Sequence, residues 1–343
     1  MTPPLALVTG TTGFIASRLV PALTAEGWRV RATGRRARPE ELPPDVEYRP
    51  ADLVADDDAA LGELCAGATH VFHLAGASSS KSSQEEMDRN NVEATGRLIA
   101  AAAAEPGLAR FVHMSSTSIY GEEEQLPVPV REDVEPHPSR GYGKAKWGAE
   151  QQVWAQVDKG VPAVVLRPVT VYGPGATKLL ASAILDAAIE RAAGLPRLAV
   201  GAEPNEQRLL HVDDLIAACL HVATTDAATG RAFNVVDGLY PSSHDVVAVL
   251  AGCFGMEPEV GGEGLDEGRR RKVHEHLVEQ GMEPAILFTP DRLRLMGKTN
   301  RNNRLSTEAL ESTGFRFART DFAAAVADNV DWYRSRRWLP PAG

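Results

Sequence analysis

Cysteine is scarce in this chain: Cys65, Cys219 and Cys253 stand far apart among 343 residues, with no CxxC or Cys/His spacing. That excludes a disulfide framework, argues against zinc or any other metal, and fits reduced thiols inside a cell. Long apolar runs are missing too. The N-terminal Leu5-Ala6-Leu7-Val8 stops at a glycine-containing turn, too short for a signal or membrane segment, so a cytoplasmic protein is expected. Positive charge is not in excess: 36 Lys+Arg against 46 Asp+Glu give a formal net charge of -10. Neither nucleic acid nor an anionic membrane is therefore expected as a partner, though small anionic ligands stay open.

What is present suits a folded α/β protein, with 43% hydrophobic and 24% charged residues. Leu5 to Val8, Val30 to Thr33, Glu47 to Pro50, Thr69 to His73, Arg110 to Met114 and Pro162 to Arg167 read as strands. Helical patterns over Phe14 to Glu26, Glu85 to Ala104 and Tyr142 to Lys159 lie between them. Repeated strand-helix-strand order predicts a doubly wound parallel sheet with helices on both faces. Pro21 falls inside the first helical pattern, where it costs ~3 kcal/mol in principle, but the apolar spacing of Phe14, Ile15, Leu19, Val20 and Leu23 still favours a helix, so a kink rather than a break is expected.

After Arg167 the alternation fades. Helical stretches at Leu179 to Ala193, Asp213 to Ala223 and Ser243 to Phe254 are separated by Gly/Pro-rich loops, and Ala232 to Val236 reads as a strand returning to the sheet. The expected division is a dinucleotide-binding domain over 1–168, joined by 211–237, and a smaller mixed, mainly helical substrate domain over 169–210 and 238–343. The polar, Gly-rich stretch 257–304 reads as an insertion or lid.

Gly10-Thr11-Thr12-Gly13-Phe14-Ile15-Ala16 follows a predicted strand and opens a predicted helix, the context of a Rossmann-type dinucleotide site. Gly10 permits the tight turn. Gly13 lets backbone approach a pyrophosphate, whose charge then sits at the helix N-terminus. Gly10, Thr12, Gly13, Phe14 and Ile15 are the candidate contacts. The second strand ends in Gly34-Arg35-Arg36, where an NAD site usually carries Asp or Glu for the ribose 2′-hydroxyl. Without that carboxylate, Arg35 can grip a 2′-phosphate, which favours NADP, with NAD as the alternative; otherwise Arg35 and Arg36 are a solvated loop. Asp52-Leu53 either meets the adenine or is plain loop. Leu74-Ala75-Gly76, after His73, leaves room for the cofactor, and His73 itself reads as structural.

Tyr142 and Lys146, at i and i+4, share one helix face. A phenol with pKa ~10 is a poor base at neutral pH. A neighbouring ammonium and a nicotinium charge would lower it, so Tyr142 could exchange a proton with a substrate oxygen while hydride moves. A hydroxyl from Ser115-Ser116-Thr117-Ser118 would orient that oxygen.

These pieces, in this order, resemble the extended short-chain dehydrogenase/reductase superfamily, the NAD-dependent epimerase/dehydratase group. Matching segments are Thr9 to Ala16, His73 to Gly76, Asn91-Val92, Ser115 to Gly121, Tyr142 to Lys146, Arg167-Pro168, Val171 to Pro174, His211 to Asp214 and Asn234-Val235. The resemblance implies Ser116 as the catalytic hydroxyl, Asn91 as a helix Asn beside the site, Pro168 and Val169 beside the nicotinamide, and a homodimer. Ser78, Ser116, Thr117, Thr170 and Arg208 are the candidate substrate contacts.

Thr117 and Ser118 stand where family dehydratases carry acidic residues and decarboxylases a Glu, which disfavours both reactions. Carbonyl reduction or alcohol oxidation at a secondary carbon remains, and the NADP-like strand end leans towards a reductase. A 4-epimerase with tightly held NAD is the alternative, and a non-catalytic NADP-sensing regulator is a distant third. A nucleotide sugar is one candidate substrate. Thr170 and Gln207 replace the Asn and Arg usual in nucleotide-sugar members, with Arg208 displaced by one. Arg269 to Lys272, or Lys298 and Arg301, could grip phosphates instead, or the run is an exposed helix face. Asp213-Asp214 reads as a helix N-cap rather than a metal pair.

Overall fold

The structure, a computed structural model, describes residues 3–77, 82–121, 126–139, 141–289 and 304–341. Its strands are β1 (Leu5–Thr9), β2 (Arg29–Gly34), β3 (Glu47–Pro50), β4 (His70–His73), β5 (Arg110–Met114), β6 (Ala163–Pro168), β7 (Thr170–Tyr172), β8 (Arg197–Val200), β9 (Leu209–His211), β10 (Ala232–Val235) and β11 (Glu257–Val260). The chain forms two compact units. The first runs to Val169 and adds Asp213–Val236 and Leu305–Arg316; the second holds Thr170–Val212, Asp237–Arg304 and the residues from Phe317 on.

The first unit is built on a seven-stranded sheet in the order β10-β6-β5-β4-β1-β2-β3, every pair parallel. This is the doubly wound sheet that the alternating pattern predicts. Strand residues point to alternate faces. Leu7, Val71, Phe111, Ala163 and Val165 therefore share one face, and they pack with Leu61, Leu64, Leu98, Ile99 and Val153 from the helices α2 (Asp58–Cys65), α4 (Ala94–Ala103) and α5 (Gly141–Val157). Leu98 is fully buried in this cluster, so its truncation to Ala would cost ~2–5 kcal/mol. The chain builds β1, β2 and β3 outward, then crosses to β4 on the other side of β1. The carboxyl ends of β1 and β4 thus flank the point where the order reverses, the position at which open α/β sheets bind ligands.

Helix α1 (Phe14–Ala25) runs through Pro21 without a break, as the apolar spacing predicts. One local feature departs from the pattern. The single helix read over Glu85 to Ala104 is three pieces: α3 (Gln84–Met87), a π-helical stretch Asp88–Glu93, then α4. A Ser83/Glu86 capping box starts α3.

In the second unit, β7 pairs with β9 and β8 with β11, each in parallel. Segment 257–304 contributes β11 and the helix α9 (Glu267–Glu279), which packs on α6 (Leu180–Ala192). Arg270, buried on α9, pairs with the buried Asp186 (3.2 Å) and Glu190 of α6 and donates to Leu265 O. Within the basic run, Arg270 is thus spent inside the unit, while Arg269, Arg271 and Lys272 are exposed. Lys298 and Arg301 lie outside the described residues. Asp213 and Asp214 fall in the first turn of α7 (Val212–Thr224), and Asp213 pairs with Arg18 at 3.2 Å. No helix among the described residues is long and apolar enough to cross a membrane.

Candidate active site

The crevice between β1 and β4 opens into a cavity of about 420 Å³. Gly10, Thr12 and Gly13 line it from β1 and the turn into α1; Leu74, Ala75 and Gly76 line it from the end of β4; Arg35, Asp52 and Leu53 line it from the β2 and β3 ends. Nine of the cofactor residues expected from sequence converge here; Phe14, Ile15, Tyr142, Lys146, Pro168 and Val169 are not in its lining.

The turn depends on glycine. Gly10 has φ +74, and a Cβ there would meet Ala75 Cα and N at 2.9 Å. Ala75 cannot retreat freely. Thr9 Oγ1 accepts from both Leu74 N (3.2 Å) and Ala75 N (3.1 Å), and it sits 2.9 Å from His73 Nδ1. His73 Nε2 lies 2.9 Å from Thr95, and burial pushes its pKa down to about 3. His73 is thus a neutral, structural strut. Helix α1 has no side-chain cap and no acidic residue in its first turn. The amides at Phe14 and Ile15 therefore carry the positive end of the helix, next in sequence to Gly13 in the cavity lining.

At the β2 and β3 ends the cavity lining holds Arg35 and Asp52. The carboxyl of Asp52 is held below the usual range, first by the Val54 amide (3.0 Å), then the Ala55 amide (3.1 Å), with Arg35 and Arg89 adding to the effect. Asp52 is thus a turn-forming loop Asp that also faces the cavity. Arg89 was not singled out from sequence; it sits in the π-helical stretch, whose side-chain directions no simple period predicts.

The catalytic candidates cluster on the same unit. Ser116 follows β5 and caps a 3₁₀ turn, accepting from Ser118 N at 3.2 Å. Tyr142 hydrogen-bonds with Ser116. Lys146 is buried; its Nζ donates to Met114 O (2.7 Å) and lies 5.9 Å from the Tyr142 ring centre. Gly143 makes this approach possible, because a Cβ there would lie 2.6 Å from Ser118 O. Thr117 Oγ1 lies 3.4 Å from Pro168 O, and Val169 N donates to Val235 O (3.2 Å), which fixes the β6 end beside this group.

Burial sets the protonation of this pair. It raises the Tyr142 pKa to about 12, with the Ser116 bond opposing. It lowers Lys146 to about 8, with Glu150 opposing. A nicotinium charge bound beside them would pull the phenol back down.

A nicotinamide dinucleotide fits these surroundings. A Cβ on Gly76 would meet Asn91 Oδ1 at 2.5 Å and Lys146 Nζ at 3.4 Å, so the strand end leaves a narrow slot between them. Asn91 donates to Met87 O and Ala77 O, while its buried Oδ1 has no partner among the described residues. Of the substrate candidates, Ser116 and Thr117 sit in this group. Thr170 and Arg208 belong to the second unit, where Thr170 pairs with Leu209, next to Arg208. Ser78 lies outside the described residues.

Residues 6–236 match the model of the NAD dependent epimerase/dehydratase family. A UDP-glucose 4-epimerase of Mycolicibacterium smegmatis is 30% identical over 307 residues, covering 82% of this chain and 93% of that protein. A 4-hydroxy-2-methyl-3-oxo-4-farnesyl-3,4-dihydroquinoline-1-oxide ketoreductase of Stigmatella aurantiaca is 30% identical over 300 residues, covering 81% and 83%. The solved structure of MoeE5 in complex with UDP-glucose and NAD superposes with a TM-score of 0.71 at 26% identity, covering 96% of this chain and 99% of that one.

Proposed function

This chain is an enzyme of the NAD dependent epimerase/dehydratase family, and from that premise we propose that it is an NADPH-using ketoreductase acting on a secondary carbon, with a nucleotide sugar as its substrate class. The observation that carries the reading is the Ser116–Tyr142–Lys146 group, with Lys146 Nζ 5.9 Å from the Tyr142 ring centre. With its pKa raised to about 12, Tyr142 holds its proton at neutral pH and is set up to give it to a carbonyl oxygen. Ser116, bonded to Tyr142, polarises the same oxygen. Lys146, nearest in charge, stabilises the phenolate left behind. A nicotinamide bound beside Gly76 would supply the hydride. Thr117 and Ser118 offer no acid or base for a dehydration.

Cofactor choice rests on the β2 end. Gly34 takes the place of a ribose-binding carboxylate, and Arg35 lines the cavity with Arg89 nearby. Two guanidiniums favour a 2′-phosphate over a bare hydroxyl. The nucleotide-sugar class is supported by the relatives, among them the M. smegmatis UDP-glucose 4-epimerase and MoeE5 with UDP-glucose.

A 4-epimerase that retains NAD is the second reading, favoured by the same relatives. Purified protein is offered NADPH with nucleoside-diphosphate 4-ketosugars and, separately, UDP-glucose without added cofactor. Consumption of NADPH by a ketosugar is the expected result. Interconversion of UDP-glucose and UDP-galactose by dialysed protein alone would replace the reductase reading with the epimerase. Dinucleotide binding with neither reaction would leave a sensor.

A further inference from the structure

The catalytic group has a floor that the reaction itself does not use. One turn beyond Lys146, on the same helix, Glu150 is fully buried. Its carboxylate accepts from the Ser115 hydroxyl and from Arg167, at Nε (3.1 and 3.2 Å) and Nη2 (2.7 Å). Arg167 also donates to Tyr120 OH (2.8 Å) and Glu132 O (2.9 Å), and Tyr120 donates to Asn234 Oδ1 (2.9 Å). Three pieces therefore meet at one carboxylate: the helix bearing Tyr142 and Lys146; Ser115, just past β5 and next to Ser116; and Arg167, near the end of β6 and next to Pro168.

We propose that Glu150 is a positioning residue, a single buried carboxylate that holds the Ser116 strand end and the Pro168 strand end in register with the Tyr142–Lys146 helix. A buried Arg-carboxylate pair with bidentate geometry suits this task, since its planar fork fixes orientation as well as distance. Removing one partner would leave an uncompensated buried charge, so the arrangement is held firmly. Charge reinforces geometry. The titratable groups around Lys146 are Tyr142 and Glu150 from α5, His73 from β4 and His113 from β5, with Arg167 of β6 behind Glu150. Burial pushes His73 down to about 3 and His113 well below its ordinary value, so both are neutral. Among the described residues, Glu150 is the carboxylate that supports the Lys146 ammonium.

The proposal rests on Tyr142 and Lys146 as the proton-handling pair, and its test separates the two claims. The full chain is loaded with NADP⁺, and the ultraviolet phenolate band of Tyr142 is titrated as the difference between wild type and Tyr142→Phe. Glu150→Gln keeps the side-chain shape but removes the charge. It should raise the phenolate midpoint by about one pH unit, because Lys146 loses protonation and Ser116 loses its anchor. Lys146 Nζ stands 5.9 Å from the Tyr142 ring and Glu150 a further turn along α5, so the nearer loss of the ammonium outweighs the direct loss of the Glu150 charge. An unmoved midpoint overturns the proposal. Should Glu150→Gln fail to fold, Ser115→Ala leaves the ion pair intact and carries the test: a raised midpoint supports the role, an unmoved one removes it. Absence of any difference band in the wild type would instead sink the Tyr142 reading.

Discussion

Gly10→Ala tests whether the β1–β4 crevice is the cofactor site and whether its shape depends on a bare backbone. At φ +74 an Ala pays ~1–2 kcal/mol for the left-handed region. Its Cβ would also stand 2.9 Å from Ala75 Cα and N, a contact with backbone that Thr9 holds in place through two hydrogen bonds. Moving or breaking that tie adds a similar amount, for a total of about 3 kcal/mol. Displacement of Ala75 closes the cavity by the same motion, so NADPH should bind about a hundredfold more weakly. Fluorescence titration with NADPH and urea unfolding measure the two effects. Gly62→Ala is the control: Gly62 lies inside α2, nothing lies within 4 Å of its would-be Cβ, and the variant should be more stable by about 0.5–1 kcal/mol with unchanged binding. If Gly10→Ala binds NADPH like the wild type and unfolds at the same urea concentration, the crevice is not the site and the steric argument is wrong.

Tyr142→Phe should abolish NADPH consumption while leaving NADPH affinity nearly unchanged, because the ring stays and only the proton donor goes; steady-state rates and a binding titration check this, and wild-type turnover would remove the mechanism. Arg35→Ala should weaken NADPH far more than NADH, and equal losses would show that Arg35 does not meet the 2′-phosphate. The chain should also lose stability in acid. Burial lowers the pKa of His70 to about 4, of His73 to about 3, and of His113 well below the ordinary 6.5. Below pH 6.5 the unfolded chain takes up protons that the folded one refuses, so the stability present above that pH is lost as pH falls towards 4, by about 1.4 kcal/mol per unit for each His. Replacing His113 with Gln should flatten that slope in urea melts at stepped pH; an unchanged slope would contradict the buried, neutral assignment.

The sheet and the cofactor turn were legible because their signals are local. Leu5 to Val8 is apolar on every residue, as a strand covered on both faces must be, and the Gly10–Gly13 turn has one backbone solution. Tyr142 and Lys146 were legible through helix geometry alone. What escaped depends on partners distant in sequence. Glu257-Pro258-Glu259-Val260 has no strand composition, yet it pairs with β8 as β11. The π-helical turn at Asp88–Glu93 shifts the helix phase, so Arg89 fell outside the periodic reading. Glu150 lies i+4 from Lys146 on an inward helix face, a charged residue where an apolar one would be ordinary, and that anomaly was the available signal. The burial that raises the Tyr142 pKa cannot be weighed before the fold is known.

The first unit is written in three separate stretches, and this sets a timetable for its synthesis. β6 ends at Pro168, but β10, which completes the sheet beside it, begins at Ala232. At ribosomal speeds of ~5–20 residues per second, the outer edge of β6 waits roughly 3–13 s for its neighbour. An open strand edge is a template for foreign strands. Leu305, which bridges to Val130, emerges later still. A nascent chain cut off before residue 232 would therefore carry every residue of the dinucleotide crevice and still present a raw edge, so premature termination should yield aggregates rather than a small working cofactor-binding fragment.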